Sequence, residues 1–187
     1  MLKSAARKLL LDQRNALTNS DCLKMDDLLL IQFQRMDWSS IQCIGSFFPS
    51  EAHNEPNALL LIKYLKAIVP GLVVAYPKVA AQGSTMQFYV ESEQLEINRF
   101  GIYEPLPIQL VSQDQMDAIL VPLVGFDLVG QRIGFGKGYY DRYFENYPLD
   151  RPRIGISYFE PVSKIEDTHE FDVPLTHCIT PSNSYEF

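Results

Sequence analysis

The sequence contains no long uninterrupted apolar segment. Nowhere in its 187 residues do about 18 apolar residues follow one another, so no membrane-spanning helix is expected. Near the N-terminus, charged residues from Lys3 to Arg14 recur too regularly for the apolar region of a secretory signal. The three cysteines, Cys22, Cys43 and Cys178, are scattered and odd in number. This usage is typical of reduced, mostly buried thiols in a cytoplasmic protein.

Several kinds of catalytic site are also missing. The three histidines, His53, His169 and His177, have no metal-ligand spacing among themselves or with a cysteine. His177 and Cys178 are neighbours, and on a strand their side chains would face opposite sides, which argues against a catalytic dyad. There is no G-x-S-x-G element.

The chain also lacks an excess of positive charge. Its formal net charge is -7, whereas nucleic-acid binding requires a basic face, so no nucleic-acid partner is expected. Any anion site must therefore be built from a few locally placed cations. With 47% hydrophobic and 21% charged residues, the chain has the composition and length of one globular domain, residues 1–187. The absence of coiled-coil heptads favours a monomer.

The apolar pattern predicts alternating helices and strands. Helices are predicted at about 2–16, 21–36, 56–68 and 139–146, with Ser20 as the N-cap of the second and Pro56 in the first turn of the third. Strands are predicted at 41–48, 72–76, 86–90, 117–121, 153–158 and 175–180. Such alternation indicates an α/β fold with a mainly parallel sheet. Ligands gather at the carboxyl ends of such strands, where the Glu51 turn and the loop 123–141 are expected to meet.

The densest functional signal is the segment 130–143, which reads Gly-Gln-Arg-Ile-Gly-Phe-Gly-Lys-Gly-Tyr-Tyr-Asp-Arg-Tyr. Glycines alternate at 134, 136 and 138 and allow the backbone N–H groups to approach a ligand closely. A helix that begins directly after them would add the positive end of its dipole. Together with nearby cations and a carboxylate, the segment predicts a site for a polyphosphate and its metal. The alternative is an ordinary glycine-rich turn that carries surface charges.

Generic nucleotide motifs do not describe this segment. A dinucleotide fingerprint requires G-x-G-x-x-G, and here the third glycine comes one residue early. A P-loop requires a glycine where Gln131 lies and a hydroxyl residue where Gly138 lies. Neither a Rossmann dinucleotide site nor a Walker site is therefore predicted.

The charged residues of the segment suit particular parts of such a ligand. Arg132 could bind phosphate through two N–H groups, and Lys137 would act as a mobile point charge. Asp141 could carry magnesium, which usually takes only one or two protein carboxylates. Asp172 is a candidate second carboxylate or, alternatively, a turn residue. Lys3 and Arg7 lie on one helix face, as part of the same site or as a solvated basic face.

The segment 120–127, Leu-Val-Pro-Leu-Val-Gly-Phe-Asp, followed by 130–141, resembles the 5-formyltetrahydrofolate cyclo-ligase family. The resemblance covers nearly the whole chain. It includes Lys3-x-x-x-Arg7, Phe48-Pro49 with Glu51, Tyr76-Pro77-Lys78, the segment 100–105 and Phe171-Asp172.

The resemblance implies a three-layer, Rossmann-like α/β fold with helices on both faces of the sheet, similar to sugar-phosphate isomerases and CoA transferases. It implies an ATP- and Mg²⁺-dependent enzyme that cyclises 5-formyltetrahydrofolate to 5,10-methenyltetrahydrofolate and releases ADP and phosphate. The formyl oxygen would be phosphorylated first. Two functions remain as alternatives: a non-catalytic ATP-binding module, and an enzyme related to sugar-phosphate isomerases.

The resemblance also implies roles for individual residues. ATP would be held by Lys3, Arg7, Arg132, Ile133, Gly134, Phe135, Gly136, Lys137, Gly138, Tyr139 and Tyr140. The folate would face Arg7, Ser46, Glu51, Phe100, Phe135, Gly136, Lys137, Gly138 and Tyr139. Magnesium would be held by Asp141 and Asp172, and Lys137 and Arg132 would carry the catalytic charge stabilisation. Phe100 stands where many relatives have tryptophan and would stack on the folate; the alternative is a core aromatic. Residues 52–54 depart from the family's usual Glu-x-Asp-Thr turn.

Overall fold

The computed structural model describes residues 1–187. The α-helices are α1 (Lys3–Asn15), α2 (Asn19–Phe33), α3 (Ala58–Ile68) and α4 (Tyr139–Phe144). The strands are β1 (Cys43–Gly45), β2 (Val73–Val79), β3 (Met86–Val90), β4 (Leu95–Ile97), β5 (Tyr103–Pro105), β6 (Leu110–Val111), β7 (Ala118–Pro122), β8 (Gly125–Phe126), β9 (Arg132–Ile133), β10 (Arg153–Ile156), β11 (His177–Ile179) and β12 (Ser184–Glu186). Short 3₁₀ helices cover Glu51–His53 and Gln113–Gln115.

One eight-stranded sheet organises the chain, in the order β12-β11-β10-β7-β1-β2-β3-β6. Its central strands β11, β10, β7, β1 and β2 are parallel, whereas β12, β3 and β6 join the edges antiparallel. The predicted α/β fold with a mainly parallel sheet is confirmed. The hairpins β4–β5 and β8–β9 lie outside this sheet and were not predicted.

Apolar side chains cover both faces of the sheet. On one face, Leu29 and Phe33 of α2 and Leu65 of α3 pack against strand residues such as Ile44 and Leu120. On the other face, Tyr143 and Phe144 of α4 pack in a cluster with Phe88, Ile119 and Val121. Adjacent residues of β7 therefore point into different clusters, as the two-residue period of a strand requires. The result is the expected three-layer arrangement.

Helix α1 lies apart from these two clusters. Its buried Ala6 and Leu10 pack with Val124, Ile133 and Ile165 in a third, smaller cluster. This packing brings the first turns of α1 next to the segment that follows β7, and so carries Lys3 and Arg7 toward the glycine-rich loop.

The helix starts differ from the predicted ones. Thr18, rather than Ser20, caps α2, because Asp21 lies three residues further on and completes a reciprocal capping box with it. Asn57 caps α3 by accepting a hydrogen bond from the Leu60 N–H, so Pro56 precedes the helix instead of opening it.

The strand ends also differ. Strand β2 does not stop at Pro77 but continues to Val79, paired with the edge-side strand β3. The strand predicted over 41–48 is short, Cys43–Gly45, and its continuation to 50 is irregular. After β11 the chain turns back as β12, which was not predicted.

Two expectations from the sequence, on membrane spans and on the cysteines, can be compared with the structure. No helix has both the length and the apolarity needed to cross a membrane. All three cysteines are free; Cys178 is buried, and Cys22 and Cys43 are half-buried. Burial raises the pKa of the Cys43 thiol to about 11, so this side chain behaves as a small neutral group.

Gly155 in β10 provides a test of the packing between the layers. We expect Gly155→Ala to reduce the free energy of unfolding by about 1–3 kcal/mol through overpacking. A Cβ there would lie 2.6 Å from Leu123 Cδ2 and 2.7 Å from Leu175 Cδ1, and both atoms belong to the core. Urea unfolding would measure the loss.

Gly134→Ala is the matched control, because the nearest atom to its Cβ would be Arg132 Nε at 4.0 Å. Its free energy of unfolding should stay within about 0.5 kcal/mol of the parent protein. Equal stability of both variants would show that the sheet face around Gly155 can expand.

Candidate functional site

A cavity of about 680 Å³ opens where strands β1, β2 and β7 end. Its wall includes Phe48 after β1, Val79 at the end of β2 and Pro122 at the end of β7. This is the edge at which ligands bind in open α/β sheets. The glycine-rich segment, the start of α1 and the hairpin β4–β5 complete the wall, so segments far apart in sequence meet there.

The glycine-rich segment forms one side of the cavity. Gly136 and Gly138 have φ angles of 83° and 68°, a region that glycine enters without strain. The Arg7 Nε donates a hydrogen bond of 2.6 Å to the Gly134 carbonyl, and the Arg7 guanidinium packs 3.7 Å from where a Gly136 Cβ would lie. Lys137 is exposed on the cavity wall. Because α4 has only six residues, its dipole adds little.

A buried carboxylate behind the cavity holds the base of this segment. Asp127 is 1% exposed. Its Oδ1 accepts 3.0 Å hydrogen bonds from the N–H groups of Val129 and Gln131, and its Oδ2 accepts one of 3.0 Å from the Ile165 N–H. The sequence contained this aspartate in the family-like motif, but only the structure reveals its role: it joins the β8–β9 turn to the segment around 165.

Two cation–carboxylate pairs border the cavity. Lys3 Nζ pairs with Asp172, which also accepts a 2.6 Å hydrogen bond from the His169 N–H. Arg132 Nη2 lies 2.6 Å from Asp141 Oδ1. Burial alone would raise the pKa of Asp172, but the bonds from Lys3 and His169 outweigh burial and lower it. Asp172 is therefore ionised, and it is more than a turn residue.

Arg132 retains unused donor capacity. Its side chain is 6% exposed and lies near the rings of Tyr140 and Phe144, at 5.9 and 5.8 Å from their centroids. The Arg132 Nη1 atom and the Tyr140 hydroxyl are both buried without a hydrogen-bond partner. Burial raises the pKa of Tyr140, which keeps its hydroxyl protonated and able to donate. Both residues line the cavity, so a ligand with acceptor oxygens would satisfy them.

The turn after β1 departs from the sequence-based expectation. Ser46 is buried behind the wall and Glu51 is exposed outside it; neither lines the cavity. Ser50 and Glu55 line the cavity instead. Asn54, with φ of 45°, ends the 3₁₀ helix, and the Glu55 N–H then donates a 3.2 Å hydrogen bond to the Ser50 carbonyl, which returns Glu55 to the side of Ser50.

The Glu55 carboxylate is held inward by its neighbours. Its Oε2 accepts a 2.8 Å hydrogen bond from the Ser50 N–H. Burial raises the pKa of Glu55, an effect that the Ser50 N–H and the positive charge of Arg14 oppose. The sequence offered two glutamates in this turn and no local pattern that distinguishes them.

Aromatic rings from the segment after β1 and from the β4–β5 hairpin also line the cavity. Phe48 stacks on Tyr76 with ring centroids 4.1 Å apart, and Tyr103 lies edge-on to Phe48 at 6.3 Å. Phe100 is 42% exposed on the cavity wall, which excludes the alternative of a core aromatic. The cavity wall thus carries both a group of cations and a group of aromatic rings.

Most residues predicted for the site do line this cavity. They are Lys3, Arg7, Phe100, Arg132, Gly134, Phe135, Gly136, Lys137, Gly138, Tyr139, Tyr140, Asp141 and Asp172. Ile133 does not, because its side chain is buried against α1 in the third cluster. The sequence did not indicate that His53, Tyr103 and His169 would line the cavity as well.

Comparison with known proteins identifies the same family over most of the chain. The model of the 5-formyltetrahydrofolate cyclo-ligase family matches residues 1–181. A 5-formyltetrahydrofolate cyclo-ligase of Mycoplasma pneumoniae is 32% identical over 162 residues, which cover 84% of this chain and 86% of that protein. The cyclo-ligase of Escherichia coli K12 is 32% identical over 119 residues, which cover 62% of this chain and 65% of the relative, just under two thirds of its length.

Solved structures agree with these relatives. A 5,10-methenyltetrahydrofolate synthetase of Mycoplasma pneumoniae superposes with a TM-score of 0.76 at 28% identity, covering 96% of this chain and 98% of that one. The NMR structure of the Aquifex aeolicus 5,10-methenyltetrahydrofolate synthetase superposes with a TM-score of 0.81 at 26% identity, covering 100% and 93%.

The lowered pKa of Asp172 predicts a pH-dependent contribution to stability. A group whose pKa falls on folding stabilises the protein above its unfolded pKa of about 3.9, and that contribution is lost as the pH falls through the folded value. We expect Asp172→Asn to cost up to about 1 kcal/mol of unfolding free energy at neutral pH, and progressively less below about pH 4. Urea unfolding at several pH values would measure both.

Asp150→Asn serves as the control, because Asp150 is exposed and forms no ion pair. A constant difference between Asp172→Asn and the parent protein at every pH would contradict the assignment of the stabilisation to the charged carboxylate.

Proposed function

Since the chain belongs to the 5-formyltetrahydrofolate cyclo-ligase family, we propose that it closes 5-formyltetrahydrofolate to 5,10-methenyltetrahydrofolate at the expense of ATP. The observation that carries this proposal is that one cavity of about 680 Å³ is lined both by cations and by aromatic rings. The cations are Lys3, Arg7, Arg132 and Lys137, and the rings include Phe48, Phe100 and Tyr103. The cations suit a polyphosphate, and the rings suit the flat ring systems of a folate.

The proposed reaction first makes the formyl oxygen a leaving group. The oxygen attacks the γ-phosphorus of ATP, the bond to ADP breaks, and the N5-bound carbon becomes part of an iminium phosphate. Nitrogen 10 then attacks this carbon and closes a five-membered ring. Loss of the N10 proton and cleavage of the C–O bond release phosphate and leave the methenyl product. Such chemistry requires positioning and charge neutralisation from the protein.

We assign the nucleotide to the cationic part of the wall. The phosphates would be surrounded by the Gly134–Gly138 backbone, Arg132 and Lys137. Lys3 and Arg7 would add further positive charge against the phosphates. The unpartnered Nη1 of Arg132 supports this assignment, since a buried guanidinium donor without an acceptor calls for an anion. Lys137 lies between two glycines and would meet the charge that grows during transfer.

The carboxylates of the cavity fit magnesium held mainly by phosphate and water. No group of three or more histidine, cysteine, aspartate or glutamate side chains lies together as a metal cluster. Magnesium needs only one or two protein carboxylates in a nucleotide site. Asp141 and Asp172 would supply them, and the ion would neutralise the phosphates during transfer.

The folate is assigned to the aromatic part of the wall, between Phe100, Tyr103 and the Ser50–Glu55 turn. Glu55 replaces the predicted Glu51 here, because only Glu55 lines the cavity. Its carboxylate would accept hydrogen bonds from N–H groups of the pterin. We further propose that the chain acts as a monomer in the cytoplasm, where its three free thiols would remain reduced.

The direct test is an absorbance assay for the methenyl product. Protein, ATP, magnesium and 5-formyltetrahydrofolate should together produce near-ultraviolet absorbance that fails to develop when any one is omitted. A non-catalytic ATP-binding module would bind nucleotide without producing it, and an enzyme of the sugar-phosphate isomerase type would leave the folate unchanged.

Lys137→Ala tests charge stabilisation during transfer. We expect kcat to fall about 10²-fold or more, on the scale of one lost oxyanion-type donor. ATP binding should weaken less, because Arg132 and the loop N–H groups remain. Thermal stability should hardly change, since the lysine is exposed. Steady-state kinetics with a parallel nucleotide titration measures both effects.

Lys24→Ala, which removes an exposed lysine of α2 outside the cavity wall, is the control. If Lys137→Ala keeps a kcat near that of the parent protein, Lys137 does not stabilise the transition state. That role would then be assigned to Arg132 or to the metal.

Glu55→Gln and Glu51→Gln form a matched pair for the folate side. We expect Glu55→Gln to raise the KM for 5-formyltetrahydrofolate about tenfold, the scale of one hydrogen bond to a charged group, with a smaller effect on the KM for ATP. Glu51→Gln should leave both constants unchanged, because that side chain is exposed outside the cavity wall. The reverse result, a folate defect in Glu51→Gln alone, would restore the sequence-based assignment.

A further inference from the structure

The hairpin β4–β5 forms a wall of the cavity that the central sheet does not itself hold. Asn98, Phe100 and Ile102 in its connecting loop, and Tyr103 and Glu104 of β5, all line the cavity. The two strands pair only with each other, so no ladder of main-chain hydrogen bonds joins them to the eight-stranded sheet. The position of this wall therefore depends on its short connections to β3 and β6 and on side-chain contacts with the sheet.

A buried carboxylate supplies one of these contacts. The Glu104 side chain is 6% exposed, although it belongs to a small surface hairpin. Its Oε1 accepts a hydrogen bond of 2.9 Å from the Val79 N–H at the end of β2 and one of 2.8 Å from the Asn98 Nδ2. Its Oε2 lies 3.7 Å from the Lys78 ammonium. One side chain thus joins the sheet to the hairpin loop.

Asn98, which is bonded to Glu104, in turn binds the backbone of the hairpin loop. Its Oδ1 accepts hydrogen bonds of 2.8 Å from the Phe100 N–H and 3.1 Å from the Ile102 N–H. A third hydrogen bond, of 2.9 Å, runs from the Asn98 N–H to the Ile102 carbonyl. The backbone of Phe100 is therefore fixed to β2 through Asn98 and Glu104.

The far end of the loop reaches the nucleotide side. Arg99 Nη2 donates a 2.8 Å hydrogen bond to the Tyr139 hydroxyl, and the rings of Phe100 and Tyr139 lie edge to face at 6.2 Å. Tyr139 directly follows Gly138 of the glycine-rich segment, at the first position of α4. The hairpin loop consequently spans the cavity from β2 to the segment assigned to ATP.

We infer that Glu104 is a positioning residue: its buried carboxylate holds Asn98, and through it Phe100, in the place where the folate rings stack. This inference rests on the proposed function. Glu104 acts on the substrate through the loop that it orders, and the nucleotide-side cations lie on other elements. Its loss should therefore affect the folate more than ATP.

Glu104→Met tests the inference, because methionine has a similar length and no acceptor for the Val79 N–H or the Asn98 amide. We expect the KM for 5-formyltetrahydrofolate to rise about tenfold or more, the scale of unsatisfied buried donors, with a much smaller change in the KM for ATP. Glu104→Gln should retain most of the parent affinity, since one amide oxygen can replace Oε1 in both hydrogen bonds. Two results would overturn the inference. One is an equal rise of the KM for 5-formyltetrahydrofolate and for ATP in Glu104→Met, and the other is an equal rise of the folate KM in Glu104→Gln and Glu104→Met.

Glu96→Met is the matched control. Glu96 also pairs with Lys78, but its side chain is 50% exposed and does not bond to Asn98. If the buried hydrogen bonds of Glu104 position the loop, Glu96→Met should leave the KM for 5-formyltetrahydrofolate unchanged. A rise in KM equal to that of Glu104→Met would instead assign the effect to the shared ion pair with Lys78.

Asn98→Ala keeps the inference testable if Glu104→Met does not fold. It should reproduce the folate defect while Glu104 still binds the Val79 N–H. In the double variant the two effects should be clearly less than additive, because both changes break one chain of contacts. Full additivity would show that Glu104 acts by another route.

Calorimetric titration of 5-formyltetrahydrofolate separates this inference from the proposed reaction. A parent protein that binds the folate but does not cyclise it would defeat the proposed function, while the order of affinities among the variants would still decide the role of Glu104. Unchanged folate affinity in both Glu104→Met and Asn98→Ala would defeat the inference, whatever the activity.

Discussion

The arrangement of the cavity depends on Asp127, whose buried carboxylate accepts hydrogen bonds from three backbone N–H groups on two segments. A buried carboxylate is costly unless such donors surround it. Here the donors come from the β8–β9 turn and from Ile165, so satisfying the charge requires these segments to meet. The Val162 N–H adds a 2.8 Å bond to the Phe126 carbonyl nearby. The glycine-rich segment therefore starts from a rigid base, although its own backbone is permissive.

A local excess of cations exists within an acidic protein because carboxylates are placed beside them. The chain carries a formal net charge of -7, yet Lys3, Arg7, Arg132 and Lys137 share one cavity wall. Asp172 and Asp141 pair with two of these cations. Such pairing limits the repulsion among like charges while no anion is present. A ligand that brings phosphates together with a metal can offer new partners to the cations and to the carboxylates.

The aromatic part of the wall is held in a different way. Phe48 follows β1, whereas Phe100 and Tyr103 belong to the β4–β5 hairpin, which reaches the sheet through buried polar contacts such as that of Glu104 with the Val79 N–H. Phe48 stacks on Tyr76 of the sheet, whereas Phe100 depends on the chain of contacts through Asn98 and Glu104. A single cavity is thereby assembled from a rigid sheet edge, a glycine-rich turn and a separately anchored hairpin.

Local sequence patterns were sufficient for the central strands, the main helices and the glycine-rich segment. Apolar periodicity reports burial, and the central strands are buried on both faces. The same patterns could not reveal the hairpins β4–β5 and β8–β9, because their strands are only two or three residues long, too short to show a period; β4 is exposed, whereas Phe126 of β8 and Ile133 of β9 are buried. Helix starts were misplaced by up to two residues where Thr18 and Asn57, and not Ser20 or Pro56, satisfied the free N–H groups.

By itself the sequence determined the fold class, the family and the concentration of glycines and cations between 130 and 141, since each depends on residue order over short distances. The tertiary structure alone decided which of two nearby glutamates lines the cavity: Glu55 is held beside Ser50 by two hydrogen bonds, whereas Glu51 is exposed outside the wall. It also decided that Ser46 and Ile133 lie behind the wall and that Lys3 meets Asp172 across 169 positions of chain. The positions of these side chains depend on contacts between segments that are far apart in the sequence. Local sequence patterns contain no information about such contacts.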